Sequence, residues 1–165
     1  MLQELIIHDL STKQKFGMKG WIKASLKKKN ENQFKELWTK PVKNKVVNGA
    51  LADLALYLIA GAAAGYKYGA IGTDSTAVAN DDTALGSQIL TRKGATGTRI
   101  TTSVANDTAQ FVSSFTADAA YSVVEYGTFE TATGGEILSR VVFGAIALTS
   151  GDALAFTHKV QAQRA

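Results

Sequence analysis

From residue 66 onward, apolar and polar residues alternate in short runs, with a turn signal about every ten residues. A period of two puts successive side chains on opposite faces, which is the pattern of a half-buried strand. Residues 66–71 form the first such run. Residues 72–76 turn, and a loop continues to Asp81, Asp82 and Thr83. Residues 85–90 suit a short helix or strand, and 93–98 a Gly-rich turn. In residues 98–104, Ile100, Thr102 and Val104 share a face. Asn106-Asp107 is a hairpin-type turn. Phe111, Ser113 and Phe115 share a face in 110–117, as do Val123, Glu125, Gly127 and Phe129 in 121–129. Thr133-Gly134-Gly135 turns into a long strand over 136–148, with Gly144 as a bulge or bend. After Ser150-Gly151-Asp152, the residues Leu154, Phe156, His158 and Val160 alternate to the end. This spacing predicts a mainly β chain, an antiparallel sandwich or barrel-like body.

One helix is expected before it. Asn48 is a good N-cap for residues 49–64, where Leu51, Leu54, Ala55, Leu58 and Ala62 lie on one face. Leu56, Tyr57 and Ile59 lie off that face. A helix apolar on two sides is buried on both, either under the sheet or against another subunit. Further upstream, residues 2–10 suit a strand, and Ile22, Ala24 and Leu26 alternate with Lys23, Ser25 and Lys27 in a second one, so the two suit a hairpin. The division is therefore a basic N-terminal arm or hairpin over 1–47 and a helix plus sheet body over 48–165. The expected core is Leu54, Leu58, Ile71, Phe111, Phe115, Phe129, Phe143, Leu154 and Phe156.

The net charge of +4 hides an asymmetry. Residues 1–48 hold eleven Lys and four acids, a net of +7. Residues 49–165 hold seven basic and ten acidic side chains, a net of −3. Such an arm suits an acidic partner, nucleic acid or protein. Trp21, Phe34 and Trp38 interleave with its lysines, as in single-strand binders, but it lacks Arg, the usual base-reading residue. Three large aromatics on a Lys-rich segment mark a contact surface, so Trp21, Phe34 and Trp38, with Leu56, Tyr57 and Ile59, are the candidate interface residues. The alternative is a hairpin folded back on its own body. The most apolar stretch, 50–65, is Ala-rich, carries Asp53 and is shorter than the roughly 20 residues a membrane span needs. The first residues show no charged segment followed by an apolar one, so no secretory signal is expected.

Catalytic candidates do not assemble. The chain has no Cys and two His, His8 and His158, far apart in sequence. Thiol chemistry and Cys-based zinc sites are excluded, and no metal or cofactor is expected. There is no Gly-x-Ser-x-Gly elbow and no His-Glu-x-x-His. Residues 94–98 imitate a phosphate loop without its Lys-Ser/Thr ending. Asp74, Asp81 and Asp82 share a loop, but their spacing fits no EF-hand and suits Asx-turns better. Glu125 and Glu130 are the pair a hydrolase would use, yet five residues apart on a strand they point to opposite faces. Glu125 is better read as a structural carboxylate bonded to backbone or to Arg140, and His158 as a satisfied, partly buried histidine.

The order of motifs resembles a group of small virion structural proteins of tailed bacteriophages. Asn48-Gly49-Ala50-Leu51 opens the helix, then Gly72-Thr73-Asp74-Ser75-Thr76 stands for a Gly-Thr-Gly-x-Thr turn. Thr83-Ala84-Leu85 follows. Glu125-Tyr126-Gly127-Thr128-Phe129 is similar to an E-x-G-x-F strand, and Leu138 to Phe143 to an L-x-R-x-x-F strand. Gly151-Asp152-Ala153-Leu154 is the closing turn. The likeness covers about residues 46–160 and omits the arm. Asp74 replaces the second Gly of the turn. The resemblance implies a non-enzymatic virion subunit assembled in the host cytoplasm. A capsid decoration protein on the major shell is the first expectation, and a tail, neck or baseplate subunit the alternative. Partners would be other virion proteins and further copies of the chain; a nucleic-acid module using the Lys-rich arm is the second alternative.

Overall fold

The computed structural model describes residues 16–50 and 65–164. Ten strands follow one another: β1 (Phe16–Lys27), β2 (Lys35–Glu36), β3 (Val42–Val46), β4 (Tyr68–Gly72) and β5 (Gln88–Gly94), then β6 (Thr96–Ile100), β7 (Thr108–Thr116), β8 (Tyr121–Phe129), β9 (Ile137–Leu148) and β10 (Ala153–Arg164). They make one antiparallel sheet in the order β5-β4-β8-β9-β3-β1-β10-β7-β6, with β2 on the edge of β1. The two end strands, β5 and β6, are consecutive in the chain. Only Ala95 separates them, and its N–H donates to Lys67 O at 2.6 Å. The sheet is therefore a nearly closed barrel. On the far side β3 joins its halves, pairing with β1 through Val42 to Asn44 and with β9 through Lys45 and Val46. Strands that meet in this way leave few unpaired edges.

The interior holds Ile22, Ala24, Ile71, Phe115, Val123, Tyr126, Val141, Leu154 and Phe156, all nearly inaccessible to solvent. Each large apolar side chain buried here contributes about 1.5–3 kcal/mol. Tyr126 stacks on Phe156 at 4.4 Å between ring centres, and Trp38 and Phe143 tilt against the same ring. A second, smaller core lies on the opposite face of β4 and β8: Val47, Ala70, Leu85, Phe129 and Ile137. Leu85 brings the loop of residues 73–87 down onto that face.

The mainly β body is as expected, and the bounds of β8 coincide with the sequence reading. Ile71, Phe115, Phe129, Leu154 and Phe156 are core, while Phe111 and Phe143 are half-buried against it. Residues 48–50 are helical; the rest of the expected helix, with Leu54, Leu58, Leu56, Tyr57 and Ile59, lies outside the described residues, as does the strand expected over 2–10. Of the two readings left open for the basic segment, the described part follows the one folded on its own body: β1 pairs with β10 along twelve residues and supplies Ile22 and Ala24 to the core. Two expectations are corrected. The strand expected over 98–104 ends at Ile100. Val104 is 68% exposed, because residues 102–104 give their N–H groups to the Asp107 carboxylate instead of to a neighbouring strand. The expected common face of Val123, Glu125, Gly127 and Phe129 is broken by a register shift between Val123 and Glu125. Between these two pairs β9 advances four residues while β8 advances two, and at this bulge the side-chain alternation of β8 slips. Tyr126 and Thr128 then face the interior, and Glu125, Gly127 and Phe129 face the 73–87 loop.

Candidate functional site

That flip builds the most charged buried site among the described residues. Glu125 has no solvent exposure and Arg140 has 3%. They stand on adjacent strands, and Arg140 Nε donates to Glu125 Oε2 at 2.8 Å. The other carboxylate bonds come from the loop: the N–H groups of Asp74, Gly86 and Ser87 donate at 3.3, 3.0 and 2.8 Å. A carboxylate has about four acceptor positions, so Glu125 has none left for a substrate proton. The other ends of the guanidinium reach Asp82 and Asp74, each at 3.2 Å. Burial works against the cation, but the bonds to Glu125 and Asp82 hold Arg140 above its ordinary pKa. Asp74 is held below the usual carboxylate range by Thr76, whose Oγ1 and N–H both donate to it, and by Arg140. Gly127 has no Cβ because one would meet Leu85 Cδ2 at 2.9 Å and Ile137 Cδ1 at 3.0 Å. It lets the loop descend to the sheet.

The barrel interior carries a second polar set. His158 is fully buried. Asn44 Nδ2 donates to its Nε2 at 2.7 Å, which assigns the proton to Nδ1, donating to Thr128 Oγ1 at 2.9 Å. Thr128 Oγ1 donates on to Tyr126 Oη at 3.2 Å, and Tyr126 and Ser113 are bonded at 3.3 Å. Ser139 Oγ approaches Nε2 at 3.3 Å. Burial pushes His158 down to about 3, so the ring is neutral. Asn44 Oδ1 faces the backbone at Gly20 and is a buried side-chain oxygen with no partner. Asp152 holds a third cluster. It accepts from Lys28 Nζ, from the N–H groups of Thr149 and Lys29 and from Thr149 Oγ1. Those bonds, the Lys28 one foremost, keep it well below the usual carboxylate range.

The two glutamates considered for hydrolysis are therefore apart in role. Glu125 is inside the arginine hub, and Glu130 accepts from the Glu136 N–H beyond the end of β8. Asp74 and Asp82 meet at Arg140, whereas exposed Asp81 does not. Among the described residues no three His, Cys, Asp or Glu are placed to hold an ion. The interface candidates separate too. Trp38 packs on Phe143 at 5.1 Å, on its own body. Phe34 is 45% exposed beneath the Lys27 ammonium. Trp21 is half-buried on the outer face of β1. Sequence reading missed Asn44, Thr128 and Ser139 as partners of His158, and Ser113 as the partner of Tyr126 further along the same set. Their only signal was polar residues at positions where the alternation puts core. No family model, curated protein or solved structure matches this chain.

Proposed function

We propose that this chain is a non-enzymatic structural subunit of a tailed-bacteriophage virion, and that it decorates or cements the capsid through contacts with the major shell protein. The observation that supports this reading is where the motif residues meet. Gly72, Asp74, Leu85, Glu125, Gly127 and Arg140 come from four motifs. Together they make one scaffold that clamps the 73–87 loop to the barrel. Residues repeated for such a purpose keep a shape, and shape is what an assembly subunit must present. Among the described residues considered for chemistry, Glu125, Glu130, Asp74, Asp82 and His158 are each engaged in holding that shape, and His8 lies outside the described residues. A cement subunit acts by mass action: interface buried only in the assembled shell stabilises the shell.

The test is protein quantification in purified particles of the phage that encodes the chain. Copies on the scale of the shell subunits are expected. Copies on the scale of a single ring would assign the chain to tail, neck or baseplate. Absence from particles would remove the virion reading altogether.

A further inference from the structure

The outer face of β3, β1 and β10 presents lysines around one tryptophan. Alternation along β1 turns Gly20, Ile22 and Ala24 inward and Lys19, Trp21 and Lys23 outward. The register then sets Lys43 of β3 on one side of Trp21 and Lys159 of β10 on the other. The same row continues to Gln110 of β7 and Thr98 of β6. With strands about 4.8 Å apart, the row runs some 20 Å across the barrel wall. Lys19 and Lys23 lie on either side of Trp21 along β1, about 13 Å from each other at 3.3 Å per residue. The indole is thus the centre of a cross of four ammonium groups.

Two features distinguish this cross from an ordinary solvated face. First, its charge is largely uncompensated. Lys23 pairs with Glu36, but Lys19, Lys43 and Lys159 have no ion pair among the described residues, and the row holds no carboxylate. Second, the tryptophan is idle. Among the described residues it has no ring partner and no cation over its face, and its indole N–H has no acceptor. Trp38, by contrast, is consumed by Phe143 and Phe156.

We infer that this face binds single-stranded nucleic acid without sequence preference, a base stacking on Trp21 and the phosphates lying on Lys19, Lys23, Lys43 and Lys159. Stacking on an aromatic is sequence-tolerant because every base has a π-face, and lysine neutralises phosphate as a point charge. The absence of Arg from the face fits backbone contact rather than base reading. Gln110 and Thr98 extend the row with an amide and a hydroxyl suited to phosphate and sugar oxygens. An acidic protein would use the lysines and leave the indole without a role. The inference does not depend on the virion reading.

Fluorescein-labelled oligo(dT), titrated with the full chain, tests it by anisotropy across about 50–200 mM NaCl. Binding is expected at low salt, with log K falling against log salt at a slope of about −2 to −3, as three or four phosphate contacts on a single strand give. Trp21→Leu should weaken binding roughly tenfold or more, while Trp21→Phe, which keeps a ring, should retain most of it. Lys43→Gln with Lys159→Gln should flatten the slope by about 1.4. All three positions face outward, so melting temperatures should match the parent, and Trp21→Phe reports on the ring even if Trp21→Leu melts lower. No binding at the lowest salt overturns the inference. So does binding that ignores both the tryptophan and the lysine changes. A duplex of equal length bound as tightly would refute the single-strand claim. Competition by polyglutamate as strong as by unlabelled oligo(dT), with Trp21→Leu silent, would assign the face to an acidic protein.

Discussion

At the scale of single residues, the balance of the fold rests on polar groups that burial would otherwise make costly. An ion pair as buried as Arg140–Glu125 is weak evidence of net stabilisation, yet breaking it on one side leaves an uncompensated charge. Arg140→Met should therefore cost about 3–5 kcal/mol, and Arg140→Met combined with Glu125→Leu should cost less than the single change. Urea unfolding of the three proteins measures this. If the double variant is the least stable, the pair acts through more than charge. The 73–87 backbone N–H groups that Glu125 satisfies are the obvious further contribution. His158 gives a pH dependence of definite sign. Its folded pKa, about 3, lies below the ordinary value of 6.5. The unfolded chain thus takes up a proton at His158 where the folded barrel does not. Stability is full above about pH 6.5 and falls on acidification at up to about 1.4 kcal/mol per pH unit until about pH 3. His158→Gln should flatten that slope between pH 4 and 6, where stability is read by denaturant melts at each pH.

At the scale of elements, strands were legible wherever alternation ran unbroken, and turns wherever Gly, Asn or Asp interrupted it. Ile22, Ala24 and Leu26 announced β1, and Asn106-Asp107 announced the turn before β7. Two things escaped. A register shift leaves no mark in the sequence: Val124 looks like any strand residue, yet the slip beside it sends Glu125 out of the barrel and Tyr126 into it. The Glu125–Arg140 contact was legible because buried opposite charges must pair. Bonding to backbone was the open alternative, and the structure has both; which N–H groups take part was not legible, since they carry no residue signature. Nor does charge content reveal membership of a sheet. The Lys-rich stretch looked like an arm because lysines on one face of a strand resemble lysines on a tail. Because β1 fills the gap between β3 and β10, deleting residues 1–45 should leave a chain without native far-ultraviolet circular dichroism or a cooperative melt. A soluble, cooperatively melting fragment 46–165 would show instead that the body closes without β1.

At the scale of the whole molecule, β1 and β10 are the first and last strands described, and they lie side by side from Phe16–Arg164 to Lys27–Ala153. The chain is synthesised in one direction, at roughly 5–20 residues per second. The inner face of β1, with Ile22 and Ala24, is thus made early, but the strand that pairs with most of its length comes last. For ten seconds or so by that rate, the nascent chain holds a lysine-studded strand with an unmatched hydrogen-bonding edge. Closure waits for the most distant strand pairing among the described residues, the kind of contact that slows folding most. The lysines alternating along that strand then act before any barrel exists. Like charges on neighbouring nascent chains repel, so two waiting edges are kept from joining each other before their own last strand arrives.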